Sequence, residues 1–397
     1  MKVTVRLGDT LWYYSQVFKV PMQLIIDSNQ DVNVSNIIVG QVVNIPGFRI
    51  QPYKVEKGDT IWKLAKARNL LPDALFLVNQ QIDPENLQVD EQIFVPERVT
   101  KPIVNGKKEY DYQAMTNDIE TLVEIYPFLR NKNIGKSVLG SGIPEIQVGR
   151  GRKQVHINGS FHANEWITTA IIMTFLNDYL VALTNMESIR GLFVDPLYFE
   201  TRLSIVPMVN PDGVNLVLNG PPDVEPYKTE VVEINNGSLD FKDWKANIRG
   251  VDLNNQFPAF WEIEKERKEP KHPAPRDYPG DAPLTEPEVQ AMVALTEKRP
   301  FSRVLAFHTQ GEEIYWGYEG NEPKEAETIV NEFARVSGYK AVQFIDSHAG
   351  YKDWFILNWQ KPGFTIELGE GVNPLPLEQF DEIYEESLGI FLVSMLM

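Results

Sequence analysis

Cysteine is absent from the 397 residues, which excludes disulfides, thiolate metal ligands and a cysteine nucleophile. Any metal is then left to histidine and carboxylate, and histidine is itself scarce, at five residues. Positive charge is also short: 38 Lys and Arg stand against 55 Asp and Glu, a net charge of −17. A surface of that sign repels the phosphates of nucleic acid and of anionic lipid, so neither is an expected partner. Long hydrophobic runs are missing as well. Residues 166–176 and 388–397 are shorter than the roughly 20 a bilayer span needs, and Thr or Ser interrupts them. Gly8 and Asp9 fall where a secretory leader needs an unbroken apolar stretch. The expectation is a protein with no signal peptide and no membrane insertion, located in the cytoplasm.

What charge there is lies unevenly. Residues 1–100 hold 10 basic and 11 acidic side chains, which leaves nearly all of the negative excess to residues 101–397. The first hundred residues are also internally repetitive. Gly8, Asp9, Thr10 and Trp12 recur as Gly58, Asp59, Thr60 and Trp62; Asn29 and Gln30 recur as Asn79 and Gln80; Val39 and Pro46 recur as Val89 and Pro96. A single fixed offset is the mark of a duplicated unit. Each unit opens with a short alternating strand, at 3–7 and 53–56, then a Gly-Asp-Thr turn whose Asp or Thr caps a helix beginning at the Trp. A second helix and a closing strand follow. These features resemble LysM modules, at 1–47 and 51–97. The resemblance implies βααβ units that bind N-acetylglucosamine-containing glycan, with Gly8, Asp9, Thr10, Gly58, Asp59 and Thr60 at the glycan-binding loops.

Residues 98–109 are expected to be a linker, and 110–397 a single α/β domain. Helical periodicity marks 111–126, 165–183, 286–298, 324–338 and 377–396; short apolar, β-rich runs mark 154–158, 202–207, 303–307 and 363–368. Alternation of this kind predicts a largely parallel or mixed sheet with ligands at the carboxyl ends of its strands. The Pro-rich, charged segment 264–283 is expected to be a surface loop.

The scarce histidines fall at those strand ends. His162 and Glu165 lie three apart just after the strand at 154–158, so one helical turn brings both to the same ion. His308 ends another strand. Two imidazoles and a carboxylate with one position left to water form the ligand set of a catalytic zinc. Glu367 ends the apolar strand at 363–366, where a carboxylate without a partner is costly, so it is either salt-bridged or catalytic.

Five ordered motifs span residues 108–397: Phe161-His162-Ala163-Asn164-Glu165-Trp166, Pro207 to Gly213, Gly250 to Phe257, Phe307-His308-Thr309 and Phe364-Thr365-Ile366-Glu367-Leu368. Together they resemble the zinc carboxypeptidases of carboxypeptidase A type. The resemblance implies an eight-stranded mixed sheet flanked by helices and one Zn2+ per chain on His162, Glu165 and His308. It also implies Glu367 as general base and Lys245, in Trp244-Lys245, in the place of the arginine that stabilises the oxyanion. At Asn254-Asn255 the chain departs from the family's Asn-Arg, so the bidentate clamp on a terminal carboxylate is missing. Arg249 is the nearest substitute. The loop 346–351 lacks the family's covering tyrosine at its expected place, which leaves His348 or Tyr351 to close over substrate. Asp252 either orients a ligating imidazole or caps a strand end.

With two LysM modules ahead of it, the whole chain resembles the γ-D-glutamyl-L-diamino acid endopeptidases of spore-forming bacteria. That resemblance implies hydrolysis of the amide between D-Glu and meso-diaminopimelate or lysine in peptidoglycan stem peptides, within the sporulating cell or at the wall. Two rivals stand beside it: a LysM-targeted carboxypeptidase trimming stem peptides, and a glycan-binding protein with an inert catalytic domain.

Overall fold

The computed structural model describes residues 1–83 and 86–397. The chain divides into two compact units, one of residues 1–103, 118–130 and 176–196, the other of residues 104–117, 131–175 and 197–397.

The first unit holds the duplicated segments. β1 (Lys2–Thr4) pairs antiparallel with β2 (Val42–Asn44), and β3 (Phe48–Lys54) with β4 (Gln92–Arg98). Between the strands lie α1 (Leu11–Phe18) and α2 (Met22–Asp27), then α3 (Ile61–Ala67) and α4 (Pro72–Val78). The repeated residues explain themselves locally. Gly8 and Gly58 take φ of 87° and 90°, where a side chain would be strained. Thr10 and Thr60 cap α1 and α3 by accepting from the backbone N–H groups of Tyr13 and Lys63. Asp9 accepts from the Arg6 N–H and the Tyr14 hydroxyl, and Asp59 accepts from the Glu56 N–H and the Tyr53 hydroxyl. Buried Asn29 donates to the carbonyls of Ile25 and Asn44, and buried Asn79 to those of Leu75 and Phe94, so each staples the second helix to the closing strand. Asp73 joins the modules through both Arg6 amino groups, at 3.0 and 2.6 Å, and the Tyr13 hydroxyl. A small hairpin, β8 (Ser188–Ile189) and β9 (Leu192–Phe193), completes the strands of this unit.

The eight-stranded sheet consists of β5 (Arg130–Lys136), β6 (Gly142–Gly149), β7 (Lys153–Gly159), β10 (Thr201–Val206), β11 (Arg303–His308), β12 (Glu313–Tyr315), β13 (Lys340–Val342) and β14 (Gly363–Glu367). Its order is β13-β12-β14-β11-β7-β10-β6-β5. The central four strands, β14, β11, β7 and β10, run parallel, while β6 and β12 pair antiparallel to their inner neighbours. Parallel strands covered on both faces read as unbroken apolar runs, and every residue of Arg-Val-Leu-Ala-Phe-His at 303–308 is buried. This mixed sheet flanked by helices is the architecture expected from the sequence. The apolar helical stretch Ala163–Asn185 has the length and composition to cross a membrane, but 89% of its most apolar window is buried inside the protein.

Register decides where the chemistry gathers. Along β11 and β14 the paired positions run from Val304 and Gly363 to His308 and Glu367, so both chemical residues sit side by side at the carboxyl ends. Gly159, the end of β7, pairs with Phe307, which brings the turn carrying His162 to the same edge.

Candidate active site

Ser160, directly after β7, takes a left-handed φ of 49°, a conformation costly for a residue with a Cβ. Its N–H donates to the Thr168 hydroxyl at 2.8 Å, and its hydroxyl meets that of Thr169 at 2.7 Å. The turn reverses the chain, and His162 becomes the N-terminal flank of a single 3-10 turn, Ala163–Glu165. Asn210 holds this turn from below. It caps the helix Pro211–Asn219 and donates to the carbonyls of Phe161 and Ala246. The Ala163 N–H donates to the carbonyl of Lys245 at 3.0 Å. Two segments some eighty residues apart in sequence are thereby fixed against each other.

His162 Nδ1 lies 2.8 Å from Glu165 Oε1, and His308 Nδ1 lies 2.9 Å from Glu165 Oε2 and 3.1 Å from His162 Nδ1. All three residues are buried, and among the described residues theirs is the cluster whose ligand atoms converge. Ligands about 2.0–2.2 Å from a tetrahedral zinc stand roughly 3.3 Å apart, so this set fits zinc. Two imidazole nitrogens facing each other at 3.1 Å need a cation or a shared proton between them, which argues the same way. His162 Nε2 is 3.2 Å from Asp252 Oδ1, leaving Nδ1 as the coordinating atom. Asp252 also caps the 3-10 turn Leu253–Asn255 by accepting from the Asn254 N–H. Its carboxylate thus faces the imidazole and also caps, though it caps a 3-10 turn and not the strand end expected from the sequence.

The charges are interlocked. Burial alone would raise Glu165, but the two imidazoles bring it down to about 2. Burial opposes the charge on His162, yet Glu165 and Asp252 hold its pKa above the ordinary histidine value. Asp252 lies well below the usual carboxylate range despite burial, because Lys245 stands 2.9 Å away and His162 lies behind it. Lys245 is itself held above the ordinary lysine value against the effect of burial, by Asp252 and then by Asp277 at 3.7 Å. Glu367 is pushed up to about 8 by burial and by the Glu165 charge, against the pull of His162 and Lys245.

An open cavity of ≈ 400 Å³ joins these groups. His162, Glu165, Lys245 and Glu367 line it, with Asn164, Asp243, Arg276, Thr309, Gln310, Tyr315, Ile345, Gly371, Val372 and Asn373. A larger cavity of ≈ 730 Å³ in the first unit, lined by residues such as Phe48, Arg49 and Glu124, carries no such cluster.

A profile described as zinc carboxypeptidase matches residues 115–388. The chain belongs to the zinc carboxypeptidase family. It is thus a peptide hydrolase, and LysM domain profiles match residues 3–46 and 53–96. The chain is 55% identical to the gamma-D-glutamyl-L-diamino acid endopeptidase 1 of Lysinibacillus sphaericus over the full length of both chains. It is 48% identical to the uncharacterized protein YqgT of Bacillus subtilis (strain 168), covering 72% of this chain and 77% of that one. Among solved structures, thrombin activatable fibrinolysis inhibitor aligns with a TM-score of 0.58 at 16% identity, covering 88% of this chain and 98% of that one. The carboxypeptidase A of Helicoverpa armigera aligns with a TM-score of 0.57 at 14% identity, over 88% and 97%. Both likenesses to solved structures are of fold alone.

Within this zinc carboxypeptidase domain the structure gathers His162, Glu165, His308, Glu367 and Lys245 at one cavity, and sends the other expected residues elsewhere. Tyr351 is fully buried among Phe161, Phe257 and Trp354, with its hydroxyl on Thr296. It is core, because it opens the helix Tyr351–Trp359 instead of ending the loop. His348 stacks edge-on against Phe260 and meets the Tyr318 hydroxyl at 3.0 Å, away from the cavity. Ile345, just ahead of that loop, lines the cavity instead. Arg249 turns to Glu286 at 3.5 Å. Asn254 accepts from the Tyr351 N–H, and Asn255 is buried and does not line the cavity. The segment 264–283 is less of a surface loop than its composition predicts, since the helix Trp261–Arg267 runs into it and Glu264 is fully buried against Arg267. In the first unit, the side chains of Asp9, Thr10, Asp59 and Thr60 are committed to the turns described above. Tyr315, Asp243 and Arg276 enter the site without a motif to announce them.

Proposed function

We propose that this enzyme hydrolyses the amide between the γ-carboxyl of D-glutamate and the L-centre of meso-diaminopimelate, or of another L-diamino acid, in cell-wall or spore peptidoglycan. The LysM modules hold it on N-acetylglucosamine-containing glycan. The observation that carries the reading is the pairing of an intact hydrolytic set, His162, Glu165, His308 and Glu367, with a sequence in which Asn255 stands where the family has the arginine that would clamp a C-terminus. The full-length likeness to the Lysinibacillus sphaericus endopeptidase supports the same substrate.

His162, Glu165 and His308 would hold one zinc, which lowers the pKa of water toward about 7 and polarises the scissile carbonyl. Glu367 accepts the proton from the attacking water and returns it to the departing amine nitrogen. A carboxylate pushed up toward neutrality is matched to that exchange, because proton transfer is most efficient when donor and acceptor are close in affinity. Lys245 presents its ammonium to the developing oxyanion. Asp252 and Asp277 keep that ammonium charged in a partly closed site, and Asp252 fixes the His162 ring.

Mass spectrometry of L-Ala-γ-D-Glu-meso-diaminopimelate, with and without a terminal D-Ala, tests the reading. Release of L-Ala-D-Glu from both peptides is expected. Release of D-Ala alone would establish the carboxypeptidase rival, and glycan binding without cleavage of either peptide would establish the inert one.

A further inference from the structure

A stem peptide carries free carboxylates, and the peptidase unit is strongly acidic overall, so an anionic substrate needs a local cation to settle on. Lys242, Lys245, Arg249 and Lys352 are the basic residues the sequence offers for such a patch, and the structure disperses three of them. Lys242 pairs with Asp240, Arg249 with Glu286, and Lys352 is buried on Asp353 and the Gly317 carbonyl. At the cavity the cations are Lys245 and Arg276. Lys245 is committed, with 18% of its side chain exposed between two carboxylates.

Arg276 is different. Its side chain is 60% exposed, its Nε donates to Asp277 at 3.0 Å, and its two terminal amino groups have no partner among the described residues. Those two groups form the end of a guanidinium that engages a carboxylate end-on by two parallel hydrogen bonds. The backbone beneath it is fixed. The N–H groups of Lys245 and Ala246 both donate to the Pro275 carbonyl, at 2.8 and 2.9 Å. The Ala274 N–H donates to Gly250, and the Asp252 N–H to the Tyr278 carbonyl. Gly250, at φ 72°, admits this approach, since a Cβ there would lie 2.8 Å from Ala274 N. Residues 274–278 are therefore laced along the segment that carries Lys245 and Asp252, and Arg276 is held at the cavity wall with a free fork.

Resting on the endopeptidase reading above, we propose that Arg276 is the carboxylate anchor of this site, gripping a free carboxylate of the stem peptide by a bidentate pair. Asp277 holds Nε and so sets the plane of the fork. Asp243, an exposed acid, lines the same cavity.

The test uses the full chain loaded with zinc, L-Ala-γ-D-Glu-meso-diaminopimelate, and derivatives amidated at one carboxylate each. Charge-assisted bidentate pairs correspond to roughly 10- to 100-fold in affinity. Arg276→Gln is expected to raise KM for the free peptide by that factor with little change in kcat. One amidated derivative is expected to show the same loss in the wild type and no further loss in Arg276→Gln. Arg276→Lys, a point charge without the fork, falls between. Calorimetric binding of the free peptide to Glu367→Gln, with and without Arg276→Gln, is expected to show the same ratio in Kd without turnover. Equal KM and Kd in wild type and Arg276→Gln would overturn the assignment, as would a loss identical for every derivative, while cleavage itself left the endopeptidase reading standing. If the peptides were neither bound nor cleaved, both readings would fall.

Discussion

Removing the Asp252 carboxylate is the perturbation whose consequences the geometry specifies most fully. Its Oδ1 faces His162 Nε2 at 3.2 Å, its Oδ2 faces Lys245 at 2.9 Å, and the group is fully buried. Asp252→Ala leaves the His162 ring free to rotate and its Nε2–H without an acceptor. Loss of such an orienting partner lowers metal affinity about 10- to 100-fold, or roughly 1.4–2.7 kcal/mol. Asp252→Asn is of equal size and keeps an acceptor oxygen for the imidazole but not the charge, so it is expected to lose less. Lys245 should also become easier to deprotonate in either variant, since Asp252 is the strongest influence holding its pKa up. Competition for zinc against a chromophoric chelator measures the affinity directly. Because Asp252 caps a 3-10 turn, loss of about 1 kcal/mol in stability accompanies the alanine variant, and circular dichroism of the zinc-free proteins checks that they remain folded. Zinc affinity within threefold of wild type in Asp252→Ala would refute the claim that this carboxylate orients the metal ligand.

Two further expectations concern buried polar groups outside the reaction. Glu288 is fully buried and pushed up to about 8 by burial, with Asp212 and Glu286 adding to the shift. Its folded pKa exceeds the unfolded value of about 4.3, so the folded state retains a proton that the unfolded state releases. The resulting cost is absent below about pH 4, grows as pH rises, and is complete above about pH 8. Glu288→Gln is therefore expected to stabilise the protein at pH 8.5, by an amount of order 5 kcal/mol at most, and hardly at pH 4; equal gains in Tm at both pH values would contradict this. Asn255→Arg restores the family's residue at a position only 6% exposed. Thermal denaturation should register a loss of about 3–5 kcal/mol from the buried unpaired charge, with no gain of C-terminal trimming; a stable variant that trims would show that the position reaches substrate.

The central strands were legible because burial on both faces leaves an uninterrupted apolar run, and because His308 and Glu367 stand at the ends of such runs. The repeated Gly-Asp-Thr and Asn positions were legible because each fills a fixed structural demand of its turn or staple. β6 escaped notice since Glu145 and Gln147 are buried within it. Ser204, Arg299 and Lys132 compensate Glu145 from other elements, which breaks the apolar pattern. β12 and β13, of three residues each, are too short to show a period. Tyr351 was misplaced because a tyrosine next to glycine in a polar stretch looks like loop, and only the helix it starts turns it inward. Arg276 had no signal at all. A Pro-rich segment reaches the site through backbone hydrogen bonds that side-chain pattern does not encode.

The most direct test of the central claim compares zinc content and cleavage of L-Ala-γ-D-Glu-meso-diaminopimelate in the wild type and in Glu367→Gln. One zinc per chain in both proteins is expected, with the rate of L-Ala-D-Glu release reduced by about 10²–10⁴ in the variant, the range of general acid–base contributions. Full activity in Glu367→Gln, or activity in a wild-type protein stripped of metal, would contradict the account.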